Sequence, residues 1–162
     1  MRNRSSYMLL DTTVINNFLQ AVRVDLLQQI QVHMCACPAV LEEIQVGIHG
    51  GKVPQGPLDW LSVVNLSADE NAYAIRLRNR LGKGESESIA VALMRRWQLA
   101  TDDRDARLIA RQLQISTTGT IGILALCTRN HIVNLEQANE ILMRMVSAGY
   151  YAPVSRLGDF VR

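Results

Sequence analysis

Lysine, cysteine, histidine and long apolar runs are all scarce in this chain. Three cysteines, Cys35, Cys37 and Cys127, form no even framework, which excludes a disulfide scaffold and makes a reducing cytoplasm the expected compartment. No apolar run approaches the ~20 residues of a membrane span. The stretch Met1–Ser6 is polar and basic and is followed only by Met8-Leu9-Leu10, which does not read as a signal peptide. The three histidines sit in no ligand spacing for zinc. His33, Cys35 and Cys37 alternate along one strand face, but no fourth ligand lies nearby and a buried strand is the better reading. Gly82-Lys83-Gly84 lacks the remaining residues of a phosphate-binding P-loop. There is no repeat, no low-complexity tract and no second domain in view.

The residues present are those of an ordinary globular chain. In 162 residues the hydrophobic share is 48% and the charged share 20%, which argues against disorder and suits one domain. Fifteen of the seventeen basic residues are Arg, whose planar fork matches phosphate oxygens. Between Arg76 and Arg111 there are nine basic and five acidic residues, so the middle of the chain is locally positive. Solvated helix faces would account for that as well.

Apolar patterning predicts strands at 7–10, 32–37, 60–66, 99–101 and 115–118. Helices are expected through Val14, Ile15, Phe18 and Leu19, from Pro38 to an end at Gly50-Gly51, and over 23–30, 67–81, 85–98, 102–114, 119–129 and 135–148, with a short one after Pro153. Thr12 or Thr13 reads as the first N-cap, Pro38 as a helix start, and Ser67-Ala68-Asp69-Glu70 as a capping box. Strands alternating with helices imply an α/β sandwich: a central parallel sheet with helices on both faces. The expected organisation is one domain over 1–162, with its core at about 7–130 and a helical extension over 131–162.

In an open parallel sheet, ligands bind beyond the carboxyl ends of the strands, and four segments deliver acids to that rim. Asp11 ends the first strand. Asp102 and Asp103, with Asp105 behind them, follow the fourth. Glu85 opens a helix. Glu42 and Glu43 lie on the helix begun by Pro38, with Glu43 favoured because it lies beside the apolar stripe. Glu85 and Glu87 fall on opposing sides of a regular helix. Each acid has a structural use too, as a cap or a dipole partner. Asp11 is hardest to explain that way, because an unpaired carboxylate at a buried junction is costly. Oxygen donors without His or Cys suit Mg²⁺ or Mn²⁺.

Five segments in order resemble the PIN-domain family. They are Leu9-Leu10-Asp11-Thr12-Thr13, Pro38-Ala39-Val40-Leu41-Glu42-Glu43-Ile44, Gly84-Glu85-Ser86-Glu87, Thr101-Asp102-Asp103-Arg104-Asp105 and Gly119-Thr120-Ile121-Gly122. The resemblance spans about 7 to 130, and the tail with Gly149-Tyr150-Tyr151 is similar to the extension of one subgroup. It implies a PIN-like three-layer sandwich and a metal-dependent ribonuclease, most often a VapC-like toxin that dimerises and is silenced by a small antitoxin. By that resemblance Asp11, Glu43, Glu85 and Asp103 are the catalytic acids, with Asp11, Glu85 and Asp103 on Mg²⁺ or Mn²⁺. Thr12, Thr13, Glu87, Asp102, Asp105 and Thr120 support them, and Arg104 and Arg107 contact RNA. A catalytically silent PIN-like module that binds RNA is the main alternative. A receiver-type phosphoacceptor domain is disfavoured because Leu66-Ser67 is expected to close the central strand and no Lys follows Lys83.

Overall fold

A computed structural model describes residues 6–161; the start of the Met1–Ser6 stretch, residues 1–5, lies outside them. Five strands form one sheet: β1 (Tyr7–Leu10), β2 (His33–Ala36), β3 (Ser62–Val63), β4 (Gln98–Ala100) and β5 (Thr117–Thr118). All four pairings are parallel, in the order β3-β2-β1-β4-β5. The connections carry α1 (Thr12–Gln20), α2 (Asp25–Gln29), α3 (Pro38–His49), α4 (Ala68–Leu77), α5 (Lys83–Arg95) and α6 (Arg104–Gln112). Then follow α7 (Thr120–Arg129), α8 (Leu135–Ser147) and a 3-10 turn at Gly158–Phe160.

Alternation along the strands splits the core in two. Met8, Leu10, Met34, Ala36 and Ala100 join a larger cluster built with α1, α3, α7 and α8. Leu9, Cys35 and Leu99 point the other way, into a cluster with Ile89 and Val91 of α5 and Ile109 and Ala110 of α6. Side chains of period two must leave opposite faces of a sheet, so helices cover both, and the expected three-layer α/β sandwich is the observed one. Segments after residue 130 belong to the same packing: Ala138, Ile141, Leu142, Met145 and Leu157 sit in the larger cluster.

Several local expectations change. The N-cap of α1 is Asp11, whose side chain accepts from the Thr12 N–H, and neither Thr12 nor Thr13 fills that place. The cap of α6 is likewise Asp103, accepting from the Ala106 N–H, so the helix starts at Arg104. Gly82 is the N-cap of α5 and Lys83 and Gly84 begin its first turn, so that helix starts two residues before Glu85. That helix stops at Arg95 because Arg96 takes a left-handed conformation, which a sequence without glycine there does not announce. The strand expected over 60–66 shrinks to two exposed residues at the sheet edge, where short strands blunt unwanted pairing. The central strand is therefore β1, and Asp11, not Leu66-Ser67, closes it. One argument against a receiver domain is lost by this; no Lys lies beyond Lys83, and that argument stands.

The strand order places the point of reversal between β1 and β4. A crevice opens there at the carboxyl ends, because the connections leave β1 and β4 toward opposite sides. Asp11 follows β1 and Asp102-Asp103 follow β4.

Candidate active site

Asp11 is the centre of the crevice. It is 1% exposed, its backbone N–H continues the sheet to the Ala100 carbonyl at 2.9 Å, and its carboxylate accepts two hydrogen bonds. The Thr101 hydroxyl donates to Oδ2 at 2.7 Å and the Thr12 N–H to Oδ1 at 2.8 Å. Burial pushes its pKa up to about 7; those two bonds oppose the shift and the charges of Glu85 and Glu43 add to it. Desolvation wins because water stabilises a carboxylate far more than two neutral donors can.

Glu43 reaches the same junction from α3. Its Oε2 accepts from the Thr12 hydroxyl at 2.5 Å and its Oε1 from the Gly84 N–H at 3.0 Å. Glu42, its neighbour, turns outward and pairs with Lys83 at 3.4 Å. Gly84 is required here: a Cβ would stand 2.8 Å from Oε1 and 2.9 Å from Oε2 of Glu43. Glu85 lies in the first turn of α5, and its Oε2 accepts from the Gly82 N–H at 2.8 Å. Its pKa is raised by burial, against the Gly82 bond, and further raised by Asp103, Glu43 and Asp105. Glu85 thus feels acids from two other places in the fold, α3 and the start of α6.

Asp103 caps α6 and is tied to Asp11 through one hydroxyl. Thr101 Oγ1 donates to Asp11 and accepts from the Asp103 N–H at 3.1 Å. Asp105 is exposed in the first turn of α6. Asp102 lies in a second network on the α7 side. It accepts from the Thr120 hydroxyl at 2.5 Å, the Thr120 N–H at 3.0 Å, Asn17 Nδ2 at 3.2 Å and the Tyr150 hydroxyl at 3.4 Å. The Asp102 N–H donates to Thr13 Oγ1 at 3.1 Å. Gly119 makes that approach possible, since a Cβ would sit 2.5 Å from Asp102 Oδ1.

Glu87 points away from the crevice, as helix geometry requires of a residue two positions from Glu85. It is buried and its Oε2 accepts from the Ala39 N–H at 3.0 Å, supplying the cap that Cys37 does not give α3. Because α3 carries Glu43, that bond sets one wall of the site. Arg107 donates from Nη1 to the Thr101 and Thr118 carbonyls at 2.9 and 3.1 Å, while Arg104 is exposed at the start of α6. Cys35 and Cys37 are buried and free. Burial pushes the Cys37 thiol up to about 12, the direction that keeps a thiol protonated and unreactive.

The donors suit a hard divalent cation: every candidate is a carboxylate or hydroxyl oxygen. The raised proton affinity of Asp11 marks a place where added positive charge is favourable. As the side chains stand, no three His, Cys, Asp or Glu among the described residues are grouped to hold a metal ion. Glu43, Glu85 and Asp103 are each engaged by a backbone N–H.

Sequence reasoning passed over Thr101, Asn17, Gly84 as a packing residue, and Tyr150. Asn17 had a signal, standing four residues after Thr13 and so on the same helix face. Thr101 had one too, as a hydroxyl closing the strand directly before an acid. Tyr150 had none, being 48 residues from its partner.

A parallel α/β sheet whose switch point gathers oxygen-only acids defines the class of open α/β proteins with a site suited to a hard cation. Within that class the assignment is firm: a family profile described as a PIN domain matches residues 7–162, and the chain belongs to that family. PIN domains are typically nucleases that use divalent metals. No curated protein matches the chain, and neither does any solved structure. Among the described residues no helix is long and apolar enough to cross a membrane.

Proposed function

We propose that this protein is an endoribonuclease dependent on Mg²⁺ or Mn²⁺, acting in the cytoplasm as the toxin of a type II toxin–antitoxin module. A small antitoxin and a second copy of the chain are its protein partners. The observation that carries the reading is Asp11, a carboxylate 1% exposed at the switch point of a PIN-domain sheet, whose pKa is raised to about 7 by burial, with smaller contributions from Glu85 and Glu43.

Asp11, Glu85 and Asp103 would hold the ion, which would supply a more acidic water and neutralise charge on the phosphodiester. Thr101 fixes the Asp11 carboxylate and, through the Asp103 N–H, the start of α6. Glu43, held by Thr12 and Gly84, is placed to accept a proton from attacking water. Asp102 ties the end of β4 to α1 through Thr13 and to the start of α7 through Thr120. Arg104 meets the phosphates that the carboxylates would otherwise repel.

The test is cleavage of a mixed-sequence RNA by the full chain with Mg²⁺ or Mn²⁺ and with chelator. Cleavage is expected only with metal, and Asp11→Asn and Glu85→Gln are expected to abolish it with unchanged circular dichroism. Undiminished cleavage by Asp11→Asn refutes the site. RNA binding without cleavage under any metal condition establishes the silent binding module instead.

A further inference from the structure

Beyond the acidic crevice lies a second cleft, of about 510 Å³, between α6 and the chain that follows α8. Arg104, Arg107 and Arg111 line one side, and Tyr150, Tyr151 and Pro153 the other. Spacings of three and four residues put the arginines on one helix face, along about 10 Å of its axis. None of the three forms an ion pair among the described residues. Three guanidinium groups in a row outnumber the single carboxylate lining the cleft, Asp102, and an anion with repeating charges relieves their repulsion.

The opposite wall is built differently. Tyr150 is half-buried and its hydroxyl donates to Asp102, which pins the tail against the end of β4. Gly149, at φ +111°, gives the turn after α8 that makes this possible. Tyr151 is then left 96% exposed, an aromatic face with neither packing nor stability to explain it. Asp102 lines the cleft too, and its neighbour Asp103 belongs to the acid cluster, so the cleft opens directly beside the crevice.

We infer that this cleft binds single-stranded RNA leaving the active site, with phosphates on Arg104, Arg107 and Arg111 and one base stacked on Tyr151. The inference rests on the ribonuclease reading for why RNA comes here. Phosphates alone would be served equally by a duplex or an acidic peptide; the bare ring selects for an unpaired base, because only an unstacked base offers its face. Arg107, anchored by two carbonyls, is the pre-set member of the row.

The experiment is fluorescence anisotropy of a labelled single-stranded RNA dodecamer on the full chain in chelator, where nothing is cleaved. Tyr151→Ala is expected to weaken binding about tenfold, and Tyr151→Phe to restore it, because stacking needs the ring and not the hydroxyl. Arg111→Ala is expected to lower the slope of log Kd against log salt by about 0.7. A duplex of the same sequence should not distinguish Tyr151→Ala from the parent. The inference is overturned if the parent binds no RNA, if Tyr151→Ala binds like the parent, or if duplex binding falls equally. Displacement of RNA by polyglutamate with no effect of Tyr151→Ala assigns the cleft to an acidic protein and overturns it likewise. Its fate is separable from that of the nuclease reading: RNA held through Tyr151 but never cut sinks only the latter, and metal-dependent cleavage with Tyr151 irrelevant sinks only the former.

Discussion

Replacing Asp11 by Asn should stabilise the metal-free protein at neutral and alkaline pH while destroying its activity. In the unfolded chain an aspartate loses its proton near 3.8, whereas in the fold Asp11 holds it to about 7. Below pH 3.8 both states carry the proton and the shift costs nothing. As pH rises toward 7 the unfolded state ionises first, so folding becomes progressively less favourable, and above 7 the loss is complete. A gap of about three pH units corresponds to about 4 kcal/mol. Against this, Asn cannot accept from the Thr101 hydroxyl through its amide nitrogen, which costs about 1–2 kcal/mol. The net gain is about 2–3 kcal/mol at pH 8, or a rise of about 5–10 °C in Tm for a chain of this size. At pH 4 the sign reverses, because only the lost hydrogen bond remains. Thermal denaturation of both proteins in chelator across pH 4–8 measures it. A difference in Tm that stays constant with pH would refute the account, since it would mean that Asp11 does not change its charge between folded and unfolded states in this window.

Three more outcomes follow from the same geometry. Gly84→Ala puts a methyl against the Glu43 carboxylate; cleavage should fall at least about tenfold, while Tm moves little because Ala favours the helix by about 1 kcal/mol. Thr101→Val removes the donor to Asp11 and the acceptor of the Asp103 N–H; a loss of about 2 kcal/mol in urea unfolding is expected, and carboxyl NMR should show Asp11 titrating at still higher pH. Arg95 donates to Glu70 at 2.6 Å and to the Asn65 carbonyl at 2.9 Å, and the Arg95 hydrogen bond is the largest cause holding the Glu70 pKa below its usual value. Arg95→Ala should cost about 2 kcal/mol at pH 7. A depressed carboxylate contributes above its unfolded pKa and loses that contribution as pH falls through the folded one, so the cost should fade below pH 4.5, as read by denaturation at pH 7 and pH 3.

The stabilising substitution and the proposed functional residue coincide at Asp11. A carboxylate buried at the centre of a sheet is maintained against a folding cost, which is the pattern of a group kept for its charge. Glu85 repeats the pattern in weaker form, with its proton affinity raised by burial and by three other acids. Glu87 shows the contrast: a buried acid engaged as a helix cap, it belongs to the architecture of α3 and reaches the chemistry only through the position of Glu43.

Period-two and period-3.6 patterning in the sequence determined the alternation of strands and helices, and through it the parallel sheet covered on both faces. The acids could be placed at strand ends by the same means, because chain order alone puts a residue after a strand. What patterning cannot express is which strand neighbours which. The order β3-β2-β1-β4-β5 makes β1 central and sets Asp11 beside Thr101, 90 positions away; burial there, not residue type, raises its proton affinity. Capping residues moved by one or two places, since a cap is decided by where the neighbouring strand ends and which donors it leaves unpaired. The cleft beside α6 was equally beyond reach, because its two walls come from distant segments linked by the Tyr150–Asp102 hydrogen bond, which no local pattern encodes.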